Sequence, residues 1–255
     1  MSNSMNDLIV LCYHGISATW PAETTVALAE LEAQLADFLA RGYRPATLDD
    51  ALTTPPAERT FVVTFDDAHR SVLDRAAPVM ARLGVPGTVF VPTDYASSQR
   101  PMAWDGYDMW MGTEHERELD CMTWDELRGL AADGWEIGSH TCSHPRLSTL
   151  DEQRIAAELT ESRAVCEREM GRSCRSIAYP YSDYDDRVVR ATRDAGYQFA
   201  VTVPRGSQQP LPLQWPRVGV YNGESAKRVR LRAGIRRLGQ SPVARLATAM
   251  RGGRS

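Results

Sequence analysis

The sequence predicts an α/β protein whose parallel sheet closes, or nearly closes, into a barrel of about seven strands. Short apolar segments alternate with segments that place apolar residues at helical spacing, which is the pattern of repeated βα units. Because helices then cover the sheet, its strands can be apolar throughout. The chain has 255 residues, 43% of them hydrophobic, enough for one barrel-sized domain or two small ones. Roughly seven strands in one domain of this length favour a closed or nearly closed barrel over a doubly wound sheet.

The first half of the chain begins this alternation. Its strands are the short apolar or β-branched runs LIVLCY, FVVTF and GTVFVP. In the first helix Leu28, Leu31 and Leu35 share one face, and Gly42 marks the end of the helix. The second helix ends in the same way at Gly84. The predicted elements are strand 8–13, helix 24–42, strand 61–65, helix 71–84 and strand 87–92.

The second half repeats the pattern after a long irregular segment, residues 94–122. This segment follows no period and is too long for an ordinary connection, so we expect a functional or lid-like loop. The helix after it begins with a capping box, in which Glu126 follows Thr123 by three residues. The remaining predicted elements are helix 123–134, strand 135–140, helix 150–171, strand 176–180, helix 186–196 and strands 197–203 and 217–221.

Composition narrows the class of protein. Charged residues make up 24% of the chain, which does not indicate disorder. The N-terminal segment has no basic region and only a short apolar run, so we predict neither a secretory signal nor a membrane span. Five cysteines without CxxC spacing favour free thiols in a reducing compartment. We therefore expect a cytoplasmic protein.

Charge is distributed unevenly along the chain. Residues 224–254 contain nine Lys or Arg and one acid, a local charge of +8, whereas the rest of the chain carries −12. We divide the chain into a barrel, residues 1–223, and a basic amphipathic tail, residues 224–255. The tail is predicted either to pack on the barrel or to contact an anionic membrane, at its inner face. Nucleic acid is not expected, because no aromatic residues are interleaved with the basic ones. The apolar stripe of the tail comprises Leu231, Ile235 and Leu238 before Pro242, and Val243, Leu246 and Met250 after it.

Several candidate functional residues lie at the ends of predicted strands. These residues are His14, Asp66, Asp67, His140 and Tyr181. In parallel α/β sheets the carboxyl ends of the strands meet at one edge, where the chemistry of such proteins gathers. We therefore expect these side chains to lie close together.

The strand-end residues include a candidate metal site. His140 and His144 are four residues apart, a spacing that lets both imidazoles face one ion, and neutral imidazole is a common zinc ligand. With one carboxylate they would leave coordination positions open, as metal-assisted hydrolysis requires. Adjacent carboxylates repel each other and are costly to bury, so one of Asp66 and Asp67 is predicted to bind the cation and the other to accept a proton. The residues alone do not decide which has which role.

The segments TFDD, SHTCSH and AYPYSD, in this order, resemble the motifs of the polysaccharide deacetylases of carbohydrate esterase family four, the NodB-homology family. The resemblance covers roughly residues 8–221. It implies a distorted, incomplete (β/α) barrel that removes N- or O-acetyl groups from sugars with one divalent metal ion. Zn²⁺ is the expected ion, with Ni²⁺, Co²⁺ and Mn²⁺ as alternatives.

The resemblance also implies roles for individual residues. Asp66 matches the position of the general base. The implied metal ligands are Asp67, His140 and His144. Tyr181 would supply a backbone N–H to the oxyanion, and Pro180 would shape the wall of the groove.

Two departures from the commoner family pattern concern the proton transfers. Ala178 stands where many members place an arginine that orients the base. Arg217 could replace that arginine, or it could be an exposed residue at a strand end. The C-terminal part contains no histidine, whereas LCYHGI resembles the branch that deacetylates poly-N-acetylglucosamine and related exopolysaccharides. His14 is therefore the candidate acid, the alternative being a hydrogen-bonded core histidine.

The other histidines and the aromatic residues of segment 94–122 are assigned less specific roles. Trp104, Tyr107 and Trp110 could stack on sugar rings or hold the loop on the barrel. His69 and His115 are predicted to be surface residues. 

The predicted function is removal of an N-acetyl group from an amino sugar in a glycan, glycolipid or glycoside. One alternative is a metal-dependent amidohydrolase acting on a small non-sugar amide. The other is a catalytically inactive carbohydrate-binding homologue, although the presence of both aspartates and all three candidate histidines argues against it.

Overall fold

The structure, a computed structural model, describes residues 8–54, 58–98, 100–206 and 208–239. The described residues form one sheet in which every pairing between strands is parallel. Its strands are β1 (Leu8–Tyr13), β2 (Arg44–Ala46), β3 (Thr60–Phe65), β4 (Gly87–Val91), β5 (Glu136–Ser139), β6 (Ser176–Ala178), β7 (Phe199–Thr202), β8 (Trp215–Pro216) and β9 (Val218–Gly219). The order along the sheet is β8-β7-β6-β5-β4-β3-β1-β9, and β2 pairs with the first half of β3.

The sheet is nearly closed into a barrel. At one end β8 pairs with β7, and at the other β9 pairs with β1. Only Arg217 separates β8 from β9 in the chain, so the two ends of the sheet meet at this residue and leave an unsealed seam. The predicted distorted (β/α) barrel is confirmed. Its details differ from the prediction, because β2 was not expected and the single strand 217–221 is instead two short strands, β8 and β9.

Helices cover the outside of the barrel. Among the described residues they are α1 (Leu28–Ala40), α2 (Leu48–Thr53), α3 (Ala77–Leu83), α4 (Thr93–Ser98), α5 (Trp124–Ala132), α6 (Glu152–Met170), α7 (Asp186–Asp194) and α8 (Ala226–Gly239). The predicted capping box of Thr123 and Glu126 begins α5. A π-helical turn, Val72–Ala76, precedes α3, whose second residue, Pro78, has no N–H to donate within a regular helix. None of these helices has the length and apolar character needed to cross a membrane.

Alternation along the strands produces two apolar layers. Leu8, Val10, Val62 and Phe90 belong to the smaller layer, inside the barrel, and the neighbouring strand residues belong to the larger layer beneath the helices. The same alternation turns Cys12, which follows Val10 by two residues, towards the barrel interior. A polar residue at the carboxyl end of a strand points into the barrel if it keeps this alternation, and points elsewhere if the backbone turns before it.

Helix α8, at the start of the predicted tail, packs on the barrel. Val229 and Ala233 are buried, and Arg230 pairs with Asp37 of α1 at 2.7 Å. Leu231 of the apolar stripe is 62% exposed, so the described part of the helix packs through Val229 and Ala233 and not through Leu231. The side chains of the other stripe residues, Ile235, Leu238, Val243, Leu246 and Met250, lie with Pro242 outside what the structure describes. The division of the chain at residue 224 stays a prediction.

Candidate functional site

The predicted strand-end residues surround one cavity of about 600 Å³ at the carboxyl ends of the strands. The predicted residues that line it are His14, Asp66, Asp67, Trp104, His140, His144 and Tyr181. Pro180 is buried at the start of the short 3₁₀ turn Pro180–Ser182, which carries Tyr181. The convergence expected from a parallel sheet therefore occurs.

The backbone around this cavity is strained. Asp67, His144 and Tyr181 adopt left-handed conformations, with φ values of 70°, 63° and 56°. Such conformations cost non-glycine residues roughly 1–3 kcal/mol each and persist where the surroundings impose them. All non-glycine residues with positive φ in the described chain follow β3, β5 or β6: Asp67, Ala68, Thr141, His144, Tyr181 and Ser182. The strain is thus concentrated where the chain leaves the strands and turns side chains into the cavity.

Three acceptor atoms meet at the base of the cavity. Oδ1 of Asp67 lies 3.3 Å from Nε2 of His140 and 3.4 Å from Nε2 of His144, and all three side chains are buried. Nδ1 of His140 donates a hydrogen bond to the carbonyl oxygen of Ala178 at 2.8 Å, so in the neutral ring Nε2 carries the lone pair. Oδ1 of Asp67 has no hydrogen-bond partner among the described residues. Acceptors this close to one another require a shared cation or proton between them.

The pKa shifts of His144 and Asp67 favour the protonation states that bind a cation. Burial lowers the pKa of His144 to about 3, which leaves its imidazole neutral at physiological pH. Burial alone would raise the pKa of Asp67, but the neighbouring imidazoles of His140 and His69 outweigh burial and hold the pKa well below its ordinary value. Burial lowers the pKa of His140, yet its contact with Asp67 and the charges of Asp66 and Asp67 raise it overall. Two imidazoles and one carboxylate, mutually close and buried, fit a divalent ion such as zinc.

The second carboxylate has a different partner. Nη1 and Nη2 of Arg217 donate to Oδ1 and Oδ2 of Asp66 at 2.6 and 2.7 Å, and Nη1 also donates to Oγ1 of Thr64. Arg217 is 1% exposed, so it is the buried partner of Asp66 and the alternative of an exposed residue at a strand end is wrong. Burial raises the pKa of Asp66, but the Arg217 charge and hydrogen bonds outweigh it and lower the pKa to about 2. An arginine therefore holds this carboxylate although position 178 is alanine.

His14 faces the cavity beside Asp66. Its side chain is 22% exposed, and its Nε2 lies 3.9 Å from Oδ2 of Asp66. Its Nδ1 has no hydrogen-bond partner in the described part of the chain, unlike that of a hydrogen-bonded core histidine. Burial lowers the pKa of His14, partly opposed by the charges of Asp67 and Asp66. The imidazole thus lines the cavity next to Asp66, and no hydrogen bond from a described residue fixes its Nδ1.

Two residues that support Asp67 were not recognised in the sequence. The hydroxyl of Tyr107 donates to Oδ2 of Asp67 at 2.9 Å, and Nε2 of His69 lies 2.9 Å from the same hydroxyl. Nδ1 of His69 donates to the carbonyl oxygen of Glu118. His69 is fully buried, so its predicted surface location is wrong. It packs against residues distant in the chain, Trp20, Tyr107 and Glu118, and no local sequence signal reports these contacts.

The predicted loop 94–122 covers this side of the cavity. Its first residues belong to α4, and two 3₁₀ turns, Asp108–Trp110 and Glu116–Leu119, interrupt the rest. Backbone hydrogen bonds fasten its far end to the segment after β3, from Arg70 to Asp120 and from Met122 to Ala68. This stretch is therefore an ordered wall of the cavity.

The sequence left two roles open for the aromatic residues of this wall, stacking on sugar rings and holding the loop on the barrel. Tyr107 is buried and holds the loop at Asp67. Trp104 is partly buried and stacks on the His144 ring at a centroid distance of 3.9 Å. The Trp104 side chain also lines the cavity. Trp110 also lines the cavity and contacts Trp20 edge-on. His115 packs against Trp110 with 16% of its side chain exposed.

Comparisons with known proteins agree with this geometry. Residues 53–200, more than half of the chain, match the family model for polysaccharide deacetylases. YxkH of Bacillus subtilis, a protein described as a polysaccharide deacetylase, is 26% identical over 205 residues, covering 78% of this chain and 66% of YxkH. A poly-β-1,6-N-acetyl-D-glucosamine N-deacetylase of Staphylococcus aureus is 22% identical over 162 residues, covering 60% of this chain and 51% of that enzyme. The chain thus spans about half to two thirds of these relatives.

Solved structures show the same fold. The deacetylase PplD of Streptococcus pyogenes, determined with acetate, superposes with a TM-score of 0.73 at 20% identity, covering 88% of this chain and 96% of PplD. IcaB from Ammonifex degensii superposes with a TM-score of 0.71 at 24% identity, covering 92% of this chain and 97% of IcaB. The family match spans the strand ends that carry Asp66, Asp67, His140 and His144. The chain belongs to the polysaccharide deacetylase family.

Proposed function

We propose that the protein is a metal-dependent hydrolase that removes the acetyl group from an N-acetylated amino sugar of a glycan, glycolipid or glycoside. One observation carries the proposal. Asp67, His140 and His144 direct three acceptor atoms at one point of an open cavity, while the neighbouring Asp66 is held separately by Arg217. A metal site beside an independently held carboxylate provides the parts that hydrolysis of an amide requires.

Asp67, His140 and His144 would hold the metal ion. Zinc suits two imidazoles and a carboxylate, and nickel, cobalt and manganese also accept these ligands. A divalent ion bound there would polarise the acetamide carbonyl and make water a stronger acid. Tyr107 contributes indirectly, since its hydroxyl fixes the free oxygen of Asp67 at 2.9 Å.

Asp66 and His14 would move the protons. Asp66 takes a proton from the water that attacks the carbonyl carbon, and Arg217 orients its carboxylate through two hydrogen bonds. When the carbon–nitrogen bond breaks, His14 gives a proton to the departing amine, so that acetate and a free amino sugar are released. The lowered pKa of His14 makes its protonated form a stronger acid towards that nitrogen.

Tyr181 and Trp104 would position the sugar. The backbone N–H of Tyr181 would donate to the developing oxyanion, and one oxyanion-hole donor is worth about 3–4 kcal/mol where it has been removed by mutation. Its left-handed backbone places it on the cavity wall next to the ring of His144. Trp104 would form part of the groove wall, and Pro180 would shape the wall at the turn that carries Tyr181. The cavity volume of about 600 Å³ suits a sugar-sized ligand.

Acetate release tests the proposal directly. Metal-free protein would be loaded with one equivalent of zinc and incubated with a panel of N-acetylated mono- and oligosaccharides. We expect acetate from at least one of them. Asp67→Ala and His140→Ala should lose bound metal and acetate release together while keeping their circular dichroism spectra, because they remove ligands at strand ends.

Matched variants outside the site serve as controls. His115→Ala removes a partly exposed imidazole and Asp74→Ala an exposed carboxylate, and both should keep metal content and acetate release. Full metal occupancy in Asp67→Ala and His140→Ala would contradict the metal site. Zinc-loaded protein that releases no acetate from any N-acetylated sugar would contradict the activity.

We also propose that α8 brings the protein to an anionic membrane surface. Lys227 and Arg228 are exposed, and Leu231, one turn further along, exposes 62% of its surface between basic neighbours. An exposed leucine flanked by cations is typical of helices that lie on anionic lipid. This contact would place the cavity near a lipid-linked or membrane-associated sugar.

A further inference from the structure

A second group of metal-ligating side chains lies beside the first. Cys12, His14 and Asp66 offer a thiol, an imidazole and a carboxylate whose ligand atoms all lie within 4.8 Å of one another. Sγ of Cys12 is 3.4 Å from Oδ2 of Asp66, and Nε2 of His14 is 3.9 Å from the same oxygen. All three residues line the cavity. The group arises because β1 and β3 are neighbouring parallel strands whose ends coincide, Cys12 pairing with Thr64.

These separations are close to those of a tetrahedral site. With Zn–S near 2.3 Å and Zn–N or Zn–O near 2.0–2.2 Å, the edges of the tetrahedron are about 3.6 Å from sulfur to oxygen and about 3.4 Å from nitrogen to oxygen. The two distances to Oδ2 of Asp66 therefore need to change by only about half an ångström. Arg217 uses one lone pair of this oxygen, and a carboxylate oxygen has another. All three side chains line the cavity, so water from the cavity would take the fourth position.

The type of ligand determines which ions would bind there. Thiolate together with imidazole selects zinc, cobalt or cadmium and disfavours magnesium or manganese. All five cysteines are free and buried, but among them only Cys12 combines with a histidine and a carboxylate in the described metal-ligating groups. Burial raises the pKa of the Cys12 thiol, so without metal the thiol keeps its proton, which faces Asp66, and a bound ion would displace that proton.

The surrounding charges make this a weak site. The guanidinium of Arg217 touches Asp66, and an ion held by Asp67, His140 and His144 would add a further positive charge nearby. The second ion should therefore bind only after the first, when metal is in excess. Once bound it would occupy Asp66 and His14, which the proposed function requires for proton transfer.

We propose that Cys12, His14 and Asp66 form a second, inhibitory site for a thiophilic divalent cation. Binding at this site stands on the geometry alone, whereas its inhibitory effect rests on the proposed deacetylase function.

Cobalt titration tests the binding, because thiolate–cobalt bonds give an intense near-ultraviolet charge-transfer band that carboxylate and imidazole ligands lack. Metal-free protein should show no such band with the first equivalent of Co²⁺ and should develop it as further Co²⁺ is added. Cys12→Ser should abolish the band and retain the first equivalent. Cys142→Ser, which changes a cysteine whose thiol contacts the carbonyl oxygen of Glu158, should behave like the wild type. No band in the wild type at excess Co²⁺, or an unchanged band in Cys12→Ser, would overturn the site.

Inhibition by zinc tests whether an ion at the second site stops acetate release. Excess zinc should suppress acetate release by the wild type, and removing all but one equivalent should restore it. In Cys12→Ser half-inhibition should need at least about 10-fold more zinc, since loss of even a residue that supports a metal ligand weakens a site 10–100-fold. A charge-transfer band with no acetate release under any condition would refute the deacetylase function and leave the site standing. Acetate release unaffected by excess zinc would refute the inhibition.

If Cys12→Ser fails to fold, as judged by circular dichroism and by loss of the first equivalent, His14→Ala provides the second variant. It removes a partly exposed ligand, so the cobalt–thiolate band should need at least about 10-fold more Co²⁺ to develop. An unchanged band in His14→Ala would remove the histidine from the site and contradict the proposal.

Discussion

Replacing Arg217 with methionine should destabilise the protein in a pH-dependent way. The variant keeps most of the buried stem and removes the guanidinium that donates to both oxygens of Asp66. Asp66 would then stand in the mouth of the barrel, 4% exposed, without its main counter-charge. Removing one partner of a buried ion pair generally costs about 3–5 kcal/mol. We expect a loss of that order at pH 7.

The sign of the pH dependence follows from the pKa of Asp66. In the wild type this pKa is lowered from 3.8 to about 2, equivalent to about 2 kcal/mol of stability that is present above pH 4 and lost as the pH falls towards 2. Without Arg217, burial would raise the pKa of Asp66 above its ordinary value. The variant would then be penalised above that raised pKa and relieved below it, when the carboxyl is neutral. The difference in stability between wild type and variant should therefore shrink as the pH falls.

Urea unfolding of metal-free protein at pH 7 and pH 4.5, followed by circular dichroism, measures this difference. Arg44→Met is the matched control, because Arg44 and its partner Glu58 are both largely exposed, and it should change stability little at either pH. The acidic limb of the pH profile for acetate release should also move to higher pH in Arg217→Met, since the base would protonate more easily. A stability loss of equal size at both pH values, or one no larger than that of Arg44→Met, would refute the reasoning.

Three further predictions concern the base, the acid and the tail. Asp66→Asn should retain its metal and lose roughly 10²–10⁴-fold in acetate release, and loss of metal instead would show that the two carboxylates have been assigned in reverse. His14→Ala should slow cleavage of an N-acetylated sugar far more than that of an aryl acetate ester, whose phenolate leaves without a proton; equal losses would falsify the acid role. Leu231→Asp should fold normally and sediment less with anionic vesicles at low salt, whereas unchanged sedimentation would exclude the proposed membrane contact.

The convergence of the ligands could be predicted because it depends on a regular feature. Parallel strands place their carboxyl ends at one edge of a sheet, so residues following β3 and β5 meet even though about 70 residues separate them in the chain. The apolar runs in the sequence were long enough to predict β3 and β5 as strands. The HxxxH spacing of His140 and His144 then pointed to a single ion.

The environment of Arg217 could not be predicted, because it depends on how the barrel closes. The two strands on either side of it have two residues each, too few for any periodic signal. Their pairing to opposite ends of the sheet turns Arg217 inward. His69 was misjudged for a related reason: it contacts Tyr107 and Glu118, about 40 to 50 residues away in a loop without a sequence period, and also Trp20.

The adjacent carboxylates illustrate how backbone geometry separates like charges that the sequence places side by side. Asp66 continues the inward row of β3 and reaches Arg217, whereas Asp67, with φ of 70°, leaves that row and faces His140 and His144. Burial raises the pKa of each carboxyl, and in each case a different partner outweighs it, so both remain ionised. Two buried negative charges are tolerable here because each is stabilised by its own neighbours, Asp66 by the Arg217 guanidinium and Asp67 by the adjacent imidazoles and the Tyr107 hydroxyl. A single shared counter-ion would leave one carboxylate protonated and unable to serve as a base at neutral pH.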